Sequence, residues 1–324
     1  MAKAIRAMAL TTITAALVCG TNLARAADDV VLGYIPASLE YPYNVASAHG
    51  FEEEAKKLGA KVVILNPRGE VEKQANGIED LIAQGVKGIA ILPLDGVVAQ
   101  SWVDNITSRG IPFVSLATQI GDPQKVAWKD VYPKATALVG MDNIAGGERA
   151  GELAATMLPK DRTAKIAIVE GAAGYPQVWQ RSQGFKEGLD KAGIKYDVVA
   201  SQPTEWTPET GEAVCQNILS ANSDVDLIFS QADDMAIGCA RAIDAAGSKV
   251  KLVATGGGSK LGMEAIAAGE LDGSVCDRPA EMGRLAAKAL YDAVTKKNTK
   301  TGQLISFDTP AITKDTLKAC PETW

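Results

Sequence analysis

Short apolar runs alternate with segments of helical period along almost the whole chain. The run at 30–35 ends in an aromatic-rich loop, and a helix-period segment at 45–58 leads to a second apolar run at 61–65. Strand, loop, helix, strand in that order is the building block of a parallel sheet. Further strands are predicted at 88–92, 112–116 and 137–140, with helices at 70–84 and 96–109 between them. Gly59, Gly85 and Gly110 each follow a helical segment, where helices commonly end.

The pattern then restarts. Helices are predicted at 142–157, 179–192, 208–221, 235–246 and 262–268, and strands at 165–170, 197–201, 227–231, 251–255 and 273–276. A helix at 281–295 and a final segment at 303–312 complete the chain. Two successive five-strand halves predict an α/β protein of two similar doubly wound parallel-sheet lobes with ligand between them. No low-complexity linker separates the halves, so the hinge is made of short crossovers. The first loop displays Glu40, Tyr41, Tyr43 and Asn44 beyond the carboxyl end of the first strand, where such sheets bind small molecules.

Residues 1–26 have the pattern of a cleavable export signal. Lys3 and Arg6 form a basic start, 7–18 an apolar stretch, and Ala24-Arg25-Ala26 a small-x-small cleavage site, so cleavage is expected near Ala26. Cys19 follows Ala16-Leu17-Val18, which lacks the small residue a lipid-anchor site wants beside its cysteine. The formal net charge is −6, and losing Lys3, Arg6 and Arg25 with the leader makes it more negative still. A polyanion would be repelled, so no nucleic-acid partner is expected.

Cys215, Cys239, Cys276 and Cys320 remain after the leader. An oxidising compartment permits disulfides. Cys215 and Cys239 fall on successive helices that should pack on one face of one sheet, which favours that pair. Cys276 with Cys320 is the other pairing, and buried small thiols are the alternative to both.

Catalytic chemistry finds little support. His49 is the only histidine and has no partnered nucleophile or metal-ligand spacing. The Gly256-Gly257-Gly258-Ser259 loop resembles a phosphate cradle but lacks the Lys-Ser/Thr of a P-loop, and no G-x-S-x-G occurs. No enzyme activity, metal or cofactor is expected.

A family resemblance rests on YPYNVASAHGFEEEAKKLG (41–59), NPRGEVEKQANGIEDLIAQGVKGIAILPLD (66–95), GIPFVSL (110–116), VGMDNIAGGERAGE (139–152), GYPQVWQRSQGFKEGL (174–189), ASQPTEW (200–206), DVDLIFSQADDMAIGCARAI (224–243) and VCDRP (275–279). In this order and spacing, behind an export signal, they resemble the ribose/galactose-type periplasmic binding proteins, the type I solute receptors of bacterial ABC importers. The resemblance implies a three-segment hinge with crossings near 141–142, 277–278 and 307–308. It implies an N-terminal lobe of 27–141 plus 278–307 and a C-terminal lobe of 142–277 plus 308–324. It also implies a periplasmic monomer that captures a small-molecule solute by hinge closure and presents it to the permease subunits in the inner membrane.

Sugar receptors of this family clamp a pyranose between rings and satisfy its hydroxyls with Asp, Asn, Arg and Gln. Here the resemblance keeps rings at Tyr41, Tyr43 and Trp206. It places Thr118 where an Asp-Arg pair is usual, Trp179 near a usual Arg, Ala232 near a usual Asn, Gly257 where an Asp is usual and Asp277 at a usual Gln. Arg181, Asp142 and Asp233 complete the candidate ligand set. Rings with carboxylates at Glu40, Asp142, Asp233 and Asp277 suit either a cation or a small polyol or deoxy sugar, and ribose itself is not expected. Helix capping competes with ligand contact at Asp233, and a hinge role competes at Asp142 and Asp277. Import and sensory signalling use the same closure, so both stay open, with a carbohydrate or polyol importer ahead.

Overall fold

A computed structural model describes residues 30–321 and 324; the export signal and Cys19 lie outside the described residues. Strands β1 (Val31–Ile35), β2 (Lys61–Ile64), β3 (Gly88–Ile91), β4 (Phe113–Leu116) and β5 (Ala137–Val139) all pair in parallel, as the first half of the pattern predicts. Helices α1 (Pro42–Lys57), α2 (Val71–Ala83) and α3 (Ala99–Ser108) connect them. The second half runs α4 (Asn143–Ala155), β6 (Ala164–Glu170), α5 (Pro176–Lys191), β7 (Tyr196–Pro203), α6 (Pro208–Ala221), β8 (Leu227–Ser230), α7 (Asp233–Ala245), β9 (Lys251–Ala254) and α8 (Lys260–Ala268). Its sheet has the order β7-β6-β8-β9. The α/β, parallel-sheet class read from the pattern is the fold observed.

Two details differ. The strand expected at 273–276 is only Ser274–Val275, β10, and touches the second sheet through single bridges, Val253 to Gly273 and Gly257 to Cys276. The chain turns through Gly256 between those bridges and through Gly258 just after them, both at left-handed φ (64° and 96°), which interrupts a continuous ladder. The segment expected as one piece at 303–312 divides in two. After α9 (Pro279–Val294), β11 (Gln303–Ile305) extends the first sheet beside β5, giving the order β11-β5-β4-β3-β1-β2. β12 (Ala311–Ile312) then pairs antiparallel with β10.

Several helices begin two or three residues before the apolar period does. Pro42, Pro176 and Pro279 open α1, α5 and α9 in this way, where a missing N–H is harmless and φ is already helical, and Pro208 opens α6 at its predicted start. The first turns of α1 and α5 face the cleft between the sheets, so their residues do not follow the core pattern.

Glycines fix how the helices at the cleft sit. On α4 and α5, Gly147, Gly151, Gly184 and Gly188 interlock: a Cβ on any of them would stand 1.9–2.4 Å from a backbone oxygen of the other helix. The two backbones are therefore in direct contact, and α5 delivers its first turns to the cleft without side-chain spacers. Beneath α5, Phe185 stacks on Phe229 of β8 with centroids 4.0 Å apart, both rings fully buried. Cys215 and Cys239 are joined, tying α6 to α7 as the sequence favoured, and Cys276 is joined to Cys320 as well. Closing loops of 24 and 44 residues stabilises the folded chain by about 3–4 kcal/mol each on the chain-entropy account.

Candidate functional site

The strand ends of the two sheets face one another across a cavity of about 100 Å³. Ala37, Tyr41, Tyr43, Asn44, Leu92 and Ala117 line it from loops and the first turn of α1 on one side. Tyr175, Gln177, Arg181, Trp206, Ala232, Asp234, Gly256 and Trp324 line it from the other.

Its walls are aromatic and partly strained. Trp206 meets Tyr175 edge to face at 5.7 Å, and Trp324 meets Tyr43 the same way at 5.5 Å. Trp206 and Ala117 both hold left-handed φ (62° and 54°), a conformation that disfavours side-chain-bearing residues and concentrates at ligand sites. The Trp206 indole lies directly on the α-carbon of Gly171.

Its polar atoms are mostly acceptors left unpaired. Asn44 Oδ1 and Gln177 Oε1 are buried without a hydrogen-bond partner. Gln177 Nε2, by contrast, donates to Thr118 Oγ1 at 2.9 Å and to Ala117 O at 3.3 Å. Asp234 lines the cavity, and burial together with the charge of Asp233 pushes its carboxyl up to about 6. The cation is Arg181, buried to 7 % exposure. Its Nε donates to Asn143 Oδ1 at 2.9 Å and its Nη1 to Gln231 O at 2.6 Å, which leaves other N–H groups for the cavity. Tyr43 Oη donates to Asp277 Oδ2 at 3.0 Å; burial and that carboxylate hold the phenol well above its usual range, so it stays a donor.

A family model for the periplasmic binding protein domain matches residues 32–298. The chain belongs to that family. A ribose import binding protein of Bacillus subtilis is 31 % identical over 269 residues, 83 % of each chain. The D-allose-binding periplasmic protein of Escherichia coli is 32 % identical over 280 residues, covering 84 % of this chain and 85 % of the relative. Among solved structures, a Mycobacterium smegmatis protein in complex with β-D-fucofuranose superposes with a TM-score of 0.79 at 26 % identity, over 90 % of this chain and 93 % of that one. A Caulobacter myo-inositol binding protein bound to myo-inositol has the same TM-score at 25 % identity, over 90 % and 95 %. Members of this periplasmic binding protein family are binding proteins rather than enzymes.

Of the residues the sequence singles out, Tyr41, Tyr43, Asn44, Arg181 and Trp206 meet at the cavity. Glu40 is exposed outside it, and Trp179 points to solvent at 36 % exposure, because both stand on the outer side of a helix entry. Thr118 is buried behind Gln177, where its hydroxyl donates to Pro93 O. Asp142 caps α4, accepting from the Ile144 and Ala145 amides, the role weighed from sequence for Asp233 rather than for Asp142. Asp277 is fully buried one layer back, occupied by Tyr43 and the Arg278 amide.

Asp233 is not an N-cap and not a cavity residue. It sits inside α7, accepting from Ser274 Oγ, the Gly258 amide and Ser259 Oγ at 2.7, 3.0 and 3.3 Å, and so pins the 256–259 loop. Gly257 lies behind the cavity against Ser274 and Asp233, and its neighbour Gly256 lines it instead. The residues the sequence reading missed are chiefly Tyr175, Gln177, Asp234 and Trp324. The first three stand within a few positions of named residues. The cavity's polar side chains are thus Asn44 and Arg181, which the sequence singles out, with Gln177 and Asp234, which it does not.

Burial raises Asp233 to about 6 against its hydrogen bonds, as it does Asp234. Both acids bind a proton more tightly folded than unfolded, where a carboxyl titrates near pH ~4. Their favourable contribution is therefore complete below about pH 4 and is lost as pH rises through about 6. The melting temperature of the unliganded protein should fall between pH 4.5 and pH 7, and Asp234→Asn should flatten that slope. A melting temperature that rises over this interval would contradict the assignment.

Proposed function

We propose that this chain is the solute receptor of an ABC importer, capturing a small carbohydrate or polyol and handing it to the membrane permease. The observation that carries this reading is the cavity's polar inventory: two unpaired buried acceptors, on Asn44 and Gln177, the Asp234 carboxyl and one guanidinium, between aromatic walls. Hydroxyls donate to such acceptors and accept from Arg181, while sugar C–H faces stack on the rings. A buried acceptor left unpaired disfavours analogues without hydroxyls, so the site discriminates as well as binds. The names of the ribose and D-allose relatives and the myo-inositol-bound neighbour support the same solute class.

In this reading the lobes are 27–141 with 278–307 and 142–277 with 308–324, and the protein works as a monomer in the periplasm, joined to no nucleic acid. Contacts between the two sides support closure as the working step. Gln177 reaches Thr118, Gln180 Nε2 donates to Gln119 Oε1 at 3.3 Å, and Tyr43 donates to Asp277. A solute favours the closed form only by its extra contacts there, and these cross-cleft bonds lower the difference it must supply.

One observation favours a second solute class. Asp234 offers a carboxylate beside aromatic rings, the setting of an ammonium site, whereas Arg181 in the same cavity opposes a cation. A thermal-shift screen of residues 27–324 against sugars, polyols and amines separates the two, since a solute at a hundredfold its Kd adds about 2.7 kcal/mol. Polyol or sugar binding should change little between pH 7.5 and 5. Binding of an ammonium solute should weaken by up to about tenfold per pH unit below 6, as Asp234 takes a proton. Hits only among amines, with that pH dependence, would overturn the carbohydrate reading.

A further inference from the structure

We propose that Trp324 is a solute-contacting and size-setting wall of the cavity, held there by the Cys276–Cys320 disulfide. The inference rests on the solute-receptor reading and extends it to a residue far from the binding motifs in sequence. Trp324 is seated by its backbone on both sides of a loop: its amide donates to Gly258 O at 3.2 Å, and its carbonyl oxygen accepts from the Lys260 amide at 2.8 Å. Its indole Nε1 donates to Gly257 O at 3.3 Å, so the polar edge is satisfied and the ring is left to line the cavity.

The ring is also oriented by its neighbours. It meets Tyr43 edge to face, and Tyr43 is fixed from its other end by Asp277. Asp277 directly follows Cys276, whose partner Cys320 lies four positions before Trp324, with the two α-carbons 5.7 Å apart. The disulfide therefore joins the strand end that orients Tyr43 to Cys320, four positions from Trp324 in sequence. The Cys320 sulfur packs on Gly258, where a Cβ would stand 2.9 Å from it. Both rings are held by contacts with the protein's own groups, which limits the conformational freedom they lose on binding.

The test is a calorimetric titration with erythritol, ribitol, ribose, D-allose and myo-inositol on the full mature chain and three variants. Trp324→Ala should weaken the best-bound probe about tenfold or more and shift preference toward the larger probes. Trp324→Phe should keep most of the affinity, and Cys276→Ser/Cys320→Ser should approach Trp324→Ala. A size preference that moves distinguishes a wall from a structural support, which would weaken all probes alike. Unchanged affinity and unchanged size order in Trp324→Ala would overturn the proposal while leaving the receptor reading intact.

If the unsubstituted protein binds no probe, the carbohydrate reading fails instead, and a solute-free measurement still decides the placement of Trp324. In 5-fluorotryptophan-labelled protein, with the Trp324 resonance assigned by Trp324→Phe, that resonance should be shielded from solvent and become exposed in the double serine variant. A resonance already exposed in the unsubstituted protein, or unmoved in a variant that melts as a folded protein, would overturn the proposal.

Discussion

Gly171→Ala should abolish solute capture at concentrations that saturate the unsubstituted protein, while the chain stays folded. A Cβ at this position would stand 1.8 and 1.9 Å from two carbons of the Trp206 ring and 2.4 Å from a third. Those distances are far inside van der Waals contact, and a rigid indole has no flexible end that could give way. Trp206 itself is constrained: its φ is 62°, and its amide donates to Thr204 Oγ1 at 3.3 Å. The ring must swing into or out of the cavity, and either motion breaks its edge-to-face contact with Tyr175. Overpacking of this kind costs about 1–3 kcal/mol in strain, and losing an aromatic anchor removes on the order of 2 kcal/mol or more of binding. Titration of the best solute should show a Kd weaker by about thirtyfold or more, with a melting temperature lowered by only a few degrees. Trp206→Ala should reproduce the binding loss without the strain. Normal affinity in Gly171→Ala would mean that the ring is not part of the solute wall.

Gly171 also marks where sequence reading stops. The strands were legible because each is a short apolar run bounded by a turn, and burial on both faces enforces such runs. Helix entries at Pro42 and Pro176 were less so, because their first turns face the cleft and carry no core periodicity, although the prolines themselves were a readable signal. Asp233 and Asp234 are adjacent on a helix and therefore point in directions about 100° apart. One pins a loop and the other faces the cavity, and no local pattern tells them apart. Arg181 was legible as a candidate from its motif, yet its role depends on the glycine contacts between α4 and α5, which bring the two helices together. Trp324 had no local signal at all. It is seated by backbone pairing with Gly258 and Lys260, more than sixty positions earlier, and only the folded chain brings these together.

Arg181→Met should be the most destabilising single change at the site, and its effect should depend on pH. Arg181 is buried, and burial pulls its pKa down while Asp277 and Tyr43 hold it up. Asp277 is raised by burial, and the charge of Arg181 is the largest influence keeping it down. Removing the guanidinium takes from the buried Asp277 carboxylate its largest stabilising charge, leaving Tyr43 and Arg278, and also strips Asn143 Oδ1 and Gln231 O of their donor. Breaking a buried ionic arrangement from one side typically costs about 3–5 kcal/mol. The sign follows from linkage: without Arg181 the folded-state pKa of Asp277 rises further above its unfolded value. Stability is then retained where Asp277 is protonated and lost as pH rises through that pKa. Denaturant unfolding of Arg181→Met should show a large deficit at pH 7.5 that shrinks toward pH 4.5. Adding Asp277→Asn should restore much of the loss at pH 7.5, because asparagine can still accept from Tyr43 and carries no charge. Solute binding should not return in that double variant, since the cavity still lacks its only lining cation among the described residues. A deficit independent of pH, or a double variant no more stable than Arg181→Met, would mean that Arg181 serves packing rather than charge balance. Recovered stability without recovered binding would separate the two tasks of this residue: it neutralises the layer beneath the cavity and presents the remaining N–H groups to the solute above it.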